Sequence, residues 1–321
     1  MSEAPPAYVP LAEVIRSGLR EGVHHGAVVG VDSDGTVVRA RGPVDAPMFP
    51  RSSAKPFQAL ACLRAGAPLS GAALAIAAGS HNGQDFHVAE VERMLAEAGL
   101  APSALRCPED WPMGRAARDE LVRSGGARSR LLMNCSGKHA AMLTACVRRG
   151  WDTDTYLDPA HPLQLLVREV IEELCGEPVA HTAVDGCGAP QLAVSLTGLA
   201  RGINAMVRAP QGSAEAAVIA AMRDFPEYVA GDRRDDTVLM RRLPGLVSKI
   251  GAEGVIVMAT SEGRTVAVKI ADGDPLTRCR TMVALSELAA MGVDVSPVSD
   301  LLSGDVLGGG EPVGVIRPIP A

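Results

Sequence analysis

Arg51-Ser52-Ser53-Ala54-Lys55-Pro56 sets a serine three residues ahead of a lysine, where Pro56 marks a helix start. Proline is tolerated there because its missing N–H goes unused, and a three-residue spacing brings the two side chains together. A serine hydroxyl is a weak nucleophile until a base takes its proton; a lysine desolvated beside positive dipole is such a base. Taken alone, the pair fits a helix cap and a surface lysine as well. Lysine is scarce in this chain, however. Of 31 lysines and arginines only four are lysine: Lys55, Lys138, Lys249 and Lys269. Where charge alone matters arginine serves, so these four are candidates for a neutral amine base or a metal ligand.

Asn134-Cys135-Ser136-Gly137-Lys138-His139 repeats the three-residue spacing with a thiol, just ahead of an apolar helical run. A helix N-terminus favours thiolate and neutral amine alike. Asp185-Gly186-Cys187-Gly188-Ala189-Pro190 offers a second cysteine in a glycine-framed turn. Two thiolates brought together suit zinc, with Lys138 or His139 as the near additional ligand; two buried cysteines without metal remain the alternative. Cys62, Cys146 and Cys175 sit in apolar helical runs and read as core. Gly79-Ser80-His81-Asn82-Gly83 is a tight polar turn after an apolar stretch, a place for a catalytic hydroxyl or an ordinary loop. His81 and His87, six apart, do not match a helical metal pair. Lys269 ends the run Thr265–Ile270, whose alternation puts Thr265, Ala267 and Lys269 on one face and an apolar set on the other. It either reaches a site serine or sits at a solvated edge. Lys249 precedes the turn Gly251–Gly254.

These residues need a scaffold, and the 321-residue composition bounds it. Hydrophobic content of 47% with 21% charged residues excludes a disordered chain. A net charge of −6 with 3% aromatics argues against nucleic acid as a partner. No apolar run approaches about 18 residues, so no membrane span is expected. The N-terminus lacks a basic start followed by an apolar stretch, and seven cysteines point to reduced thiols in a cytoplasmic protein. Val28–Asp32 and Thr36–Arg39 flank a Ser-Asp-Gly turn as a hairpin, and Val255–Ala259 and Thr265–Ile270 form a second. Between them the pattern is mostly helical, and a helix over about Thr277–Ala290 and a last strand at Val313–Arg317 follow. The expected fold is α/β of the α+β type in one domain spanning 1–321. An antiparallel sheet comes from about 25–50 and 250–320, flanked by helices, with a helical lobe over about 52–245.

Taken together, RSSAKPFQ (Arg51–Gln58), SHNG (Ser80–Gly83), NCSGKHAAM (Asn134–Met142), DGCGAP (Asp185–Pro190), GAEGV (Gly251–Val255) and VKIADG (Val268–Gly273) resemble the rhizobial-type L-asparaginases, the asparaginase II family. Matching segments run in order from about His25 to Leu288, and the NCSGKHA and DGCG segments are the most specific. The resemblance implies a fold similar to serine β-lactamases and glutaminases, and hydrolysis of L-asparagine to L-aspartate and ammonia by a homodimer. It implies two serine–lysine pairs, Ser52 with Lys55 and Ser80 with Lys269. It also implies a zinc held by Cys135, Lys138 and Cys187, with Asp185, His81 and Asn82 at the substrate. The segment Cys107–Pro112 departs from the family's usual Cys-Gly-x-His-x-Pro by lacking its histidine. Another serine–lysine amidase such as a glutaminase, a penicillin-binding relative, and a zinc-bearing amino-acid-binding protein are the competing readings.

Overall fold

The computed structural model describes residues 7–320. The chain opens with β1 (Val9–Arg16), β2 (Leu19–Val31) and β3 (Val37–Arg41). β1 and β2 turn on Ser17-Gly18, both at positive φ, and β2 and β3 turn on Ser33–Gly35. A short β4 (Pro47–Met48) leads through a single 3₁₀ turn at Arg51–Ala54 into α1 (Lys55–Arg64). Five helices follow: α2 (Gly71–Ala77), α3 (Asp85–Glu97), α4 (Arg115–Arg123), α5 (Ser136–Arg149) and α6 (Pro162–Cys175). The hairpin β5 (His181–Val184) and β6 (Pro190–Ser195) precedes α7 (Leu196–Arg208), α8 (Ala214–Asp224), α9 (Pro226–Val229) and α10 (Asp235–Arg242). Then β7 (Val247–Ile250), β8 (Val255–Ala259) and β9 (Thr265–Ile270) return, and α11 (Arg280–Ala290), β10 (Gly304–Gly308) and β11 (Glu311–Pro318) close the chain.

The main sheet runs β10-β11-β1-β2-β9-β8-β7 with every pairing antiparallel, and β3 continues along the half of β2 that β1 leaves free. Strand alternation divides its side chains between two cores. Val28, Ile256, Met258, Val266, Val268 and Ile270 pack with Val283, Leu285 and Leu288 of α11. Ala27, Val29, Val31, Val257 and Ala267 face the other way, into the helical lobe, where Phe57, Leu60, Ile76 and Leu199 meet them in one cluster. The expected fold class is the observed one: a mixed α/β protein with an antiparallel sheet from both ends of the chain and a helical lobe between.

Three details differ from the expectation. The sheet begins at Val9, not near residue 25, and β1 pairs with β11 from Ala12 to Arg16. β1 and β2 were obscured because register shifts between Pro10 and Ala12 and between Val14 and Ile15 break the two-residue period. The lobe is not all helix: β4, β6 and β5 make a three-stranded sheet. β6 is buried at every position, which leaves no alternation to read. β7, where only a turn was expected to lie ahead of β8, is a buried edge strand of the main sheet.

Candidate active site

A cavity of about 550 Å³ opens between sheet and lobe, lined by Ser52, Ser80, Asn134, Arg234, Gly251 and Arg280 among others. Ser52 reaches it from the 3₁₀ turn, which starts at Arg51 with φ of 53°. Positive φ is uncommon for a non-glycine residue and is held by surrounding contacts. Lys55, one turn on in α1, is only 1% exposed. Its Nζ donates to the Gly79 carbonyl and, at 2.9 Å, to Ser80 Oγ. The polar turn after α2 thus delivers its serine to the lysine of the Ser-x-x-Lys segment. Ser52 Oγ makes no hydrogen bond among the described residues. Spacing and the family resemblance both paired Ser52 with Lys55; the hydrogen bond in the structure runs from Lys55 to Ser80.

The second expected pair is not in contact. Lys269 sits at the end of β9 opposite Val255, and its Nζ donates to the carbonyl of Glu253 in the adjoining turn. Ser80 Oγ accepts from Lys55. Burial lowers the Lys269 pKa from the ordinary lysine value, against the opposing attraction of Glu253. Ser53 is buried and structural, donating to the Lys249 carbonyl at 3.0 Å.

His81 and Asn82 do not present free groups to a substrate. The His81 ring is fully enclosed, with Nε2 2.8 Å from Ser136 Oγ and Nδ1 accepting from Gly83 N at 3.1 Å. Its backbone N–H donates to the Asn134 carbonyl, which ties the Ser80 turn to the start of α5. Burial pushes its pKa well down, helped by His87 stacked at 4.9 Å, so the ring is neutral. Asn82 donates to the Asp232 carbonyl at 3.3 Å, and its Oδ1 accepts from Arg234 at the same distance. Both residues hold the loop that carries Ser80.

Deeper in the lobe Cys135, Lys138 and Cys187 converge, none more than 3% exposed. Cys135 stands at the N-cap of α5, and Lys138 in its first turn donates to Cys187 Sγ at 3.1 Å. The Cys135 side chain beside it lowers the Cys187 pKa far below that of a free thiol, against its own burial and with help from Lys138, while the Cys135 thiol donates to Asn134 Oδ1 at 2.8 Å. For Lys138 burial acts downward, but the charges on Cys187 and Cys135 outweigh it and raise its pKa. Cys135 goes the other way, raised by Cys187 and by burial. Asp185 accepts from Arg51 Nε at 2.8 Å and from Gly186 N, so Arg51 links the metal-type cluster to the Ser52 turn. Asp185 itself does not line the cavity.

Two groups were missed by sequence reasoning, and a third, Lys249, was marked as a candidate but given no role. Lys249, only 1% exposed, pairs with Asp236 at 3.4 Å, and its scarcity was the sole signal. Arg234 and Arg280 line the cavity, and nothing distinguishes them in sequence from the other arginines.

Over residues 12–318 the sequence matches the L-asparaginase II family. The chain belongs to that family. Membership of the L-asparaginase II family, with a buried lysine on a cavity serine, supports an amidohydrolase of the serine–lysine type. Comparison with curated proteins returned no match. Similar solved structures include a β-lactamase from Mycobacterium bovis, 16% identical over 84% of this chain and 95% of its own, TM-score 0.46. Another is Mglu in its native form, 15% identical over 88% and 66%, TM-score 0.45. A third is the simvastatin synthase LovD of Aspergillus terreus, a LovD6 mutant, 10% identical over 83% and 92%, TM-score 0.41.

The zinc expected for this L-asparaginase II member has a donor set to fit it. Two sulfurs and one amine converge, and His139 Nε2 is buried beside Cys187 without a hydrogen-bond partner while its Nδ1 faces Tyr156 at 2.7 Å. Two thiols and an amine match the nitrogen–sulfur preference of zinc. The described residues hold no cluster of three or more His, Cys, Asp or Glu, so any such site depends on the lysine.

Proposed function

We propose that this chain is an L-asparagine amidohydrolase, releasing L-aspartate and ammonia through an acyl-enzyme. The observation that carries this reading is the buried Lys55 amine bonded at 2.9 Å to Ser80 Oγ in the wall of the cavity that Ser52 also lines. Ser52, with its hydroxyl unengaged, attacks the side-chain carbonyl; Lys55, through Ser80, takes the proton and returns it to the leaving nitrogen as ammonia departs. Water then cleaves the ester with the same groups acting in reverse. Lys269, lowered by burial, would reach these transfers from the sheet side only on leaving the Glu253 carbonyl. Asp185, fixed by Arg51 behind the cavity wall, would meet the substrate's ammonium group only where that group reaches past the Arg51 turn. Zinc, when held by Cys135, Lys138 and Cys187, would supply a fixed positive charge that organises the Asp185 turn. Binding it requires Lys138 to lose its proton, so uptake releases protons. The working protein is a homodimer in the cytoplasm on this reading.

The Lys55–Ser80 hydrogen bond favours a second reading in which Ser80 itself attacks. Trapping the acyl-enzyme at low pH and mapping the modified peptide separates the two. An adduct on Ser52 with residual activity in Ser80→Ala supports the first. An adduct on Ser80 with near-normal turnover in Ser52→Ala supports the second. Ammonia release from glutamine but not asparagine, or hydrolysis of a β-lactam alone, would remove asparagine as the substrate.

A further inference from the structure

Arg280 begins α11 and is only 4% exposed, yet it is one of the residues that line the cavity. It donates Nη1 to the Gly251 carbonyl at 3.0 Å, while its buried Nε has no partner. Among the described residues no carboxylate lies within 4.0 Å of it. The acids around it are engaged elsewhere. Asp274 accepts from the backbone N–H groups of Arg278, Cys279 and Arg280. Asp236 accepts from Ser248, Lys249 and Ile250. Asp235 accepts from Thr281 at 2.5 Å. An arginine stays charged, and a buried charge without a counter-ion is costly unless something arrives to pair with it. Arg234 lines the same cavity and, among the described residues, has no carboxylate partner and is engaged by Asn82 and Met113. Burial pushes the Arg280 pKa below its ordinary value, against the longer-range attraction of Asp274, Asp236 and Asp235.

We infer that Arg280, with Arg234 beside it, receives the free α-carboxylate of the amino-acid substrate and so restricts the enzyme to unblocked amino acids. This rests on the asparagine reading above and names the group that enforces it. The planar fork of arginine matches a carboxylate in two parallel hydrogen bonds. A substrate whose α-carboxyl is esterified offers no charge and leaves the guanidinium unpaired.

The test compares L-asparagine with L-asparagine methyl ester, by calorimetric binding to Ser52→Ala/Ser80→Ala protein and by ammonia release from the otherwise native chain. The parent is expected to prefer the free acid by roughly 10–100-fold in Kd, the range for a hydrogen-bonded charge. With Arg280→Gln added, that preference falls towards one; with Arg280→Lys, which keeps the charge but not the fork, it falls severalfold. Because the readout is a ratio on one protein sample, partial misfolding cancels, and the lysine variant answers if the glutamine variant does not fold. An unchanged ratio, equal binding of acid and ester by the parent, or binding of neither overturns the inference. Acid-selective binding without ammonia release overturns the asparaginase reading and leaves this one standing. Ammonia release with no acid–ester difference does the reverse.

Discussion

Lysine and arginine carry the same charge, but only lysine can give up its proton in a protein, so the four lysines test the chemistry residue by residue. Lys55→Arg is expected to lower kcat/KM for L-asparagine by about 10²–10⁴-fold, the usual worth of one general base, with the melting temperature checked on the same protein. Activity within a few-fold of wild type would remove Lys55 from proton transfer. Lys249 behaves differently. Burial, against the attraction of Asp236, brings its pKa from 10.5 to about 8. Between those values the unfolded chain holds more protons than the folded one, so stability rises with pH from about 8 towards 10.5. Thermal melts across that window should show the rise, and Lys249→Met should flatten it. The two cavity serines and the buried lysine were legible in sequence, because type and scarcity mark them. Which serine meets which lysine was not, since Ser80 comes to Lys55 through the Gly79 turn and not through local spacing.

Helices α2 and α5 carry the two halves of the site, Ser80 just after one and Lys138 within the other, and they touch at Gly137. A Cβ on Gly137 would stand 2.7 Å from the backbone oxygen of Ile76, closer than van der Waals contact allows. Gly137→Ala therefore pushes α5 off α2. It is expected to cost about 1–3 kcal/mol, as overpacking does, and to reduce turnover; urea unfolding and ammonia release measure the two. Unchanged values for both would mean that the helices accommodate the methyl group. β8 and β9 were readable from their sequence because each is short, apolar and separated by Ser261-Glu262-Gly263. α7 was not, because Gly198 and Gly202 weaken a helical pattern. Both glycines sit in tight packing: a Cβ there would meet Glu177 Oε1 at 2.6 Å and Phe57 at 2.7 Å, so a neighbour would have to move.

At the scale of the whole molecule, the sheet joins the chain's two ends through β1 and β11, and the lobe between them closes the cavity against β7–β9. That arrangement was expected because strand patterns flank a helical middle, whereas the small lobe sheet lies in stretches with no readable period. Zinc binding to Cys135, Lys138 and Cys187 predicts a global effect. At 100 times its Kd the metal should add about 2.7 kcal/mol to the unfolding free energy, seen by calorimetry as a higher Tm than with chelator present. Cys187→Ser should abolish the difference, and an equal Tm with and without zinc in the native chain would exclude the site. Light scattering at twice the 33.3 kDa chain mass would support the homodimer. The most direct test of the central claim measures ammonia and L-aspartate together from L-asparagine, for the native chain and for Lys55→Arg on metal-quantified protein. Equimolar products from the native chain and almost none from Lys55→Arg are predicted; no ammonia from the native chain, or equal rates from both, would contradict it.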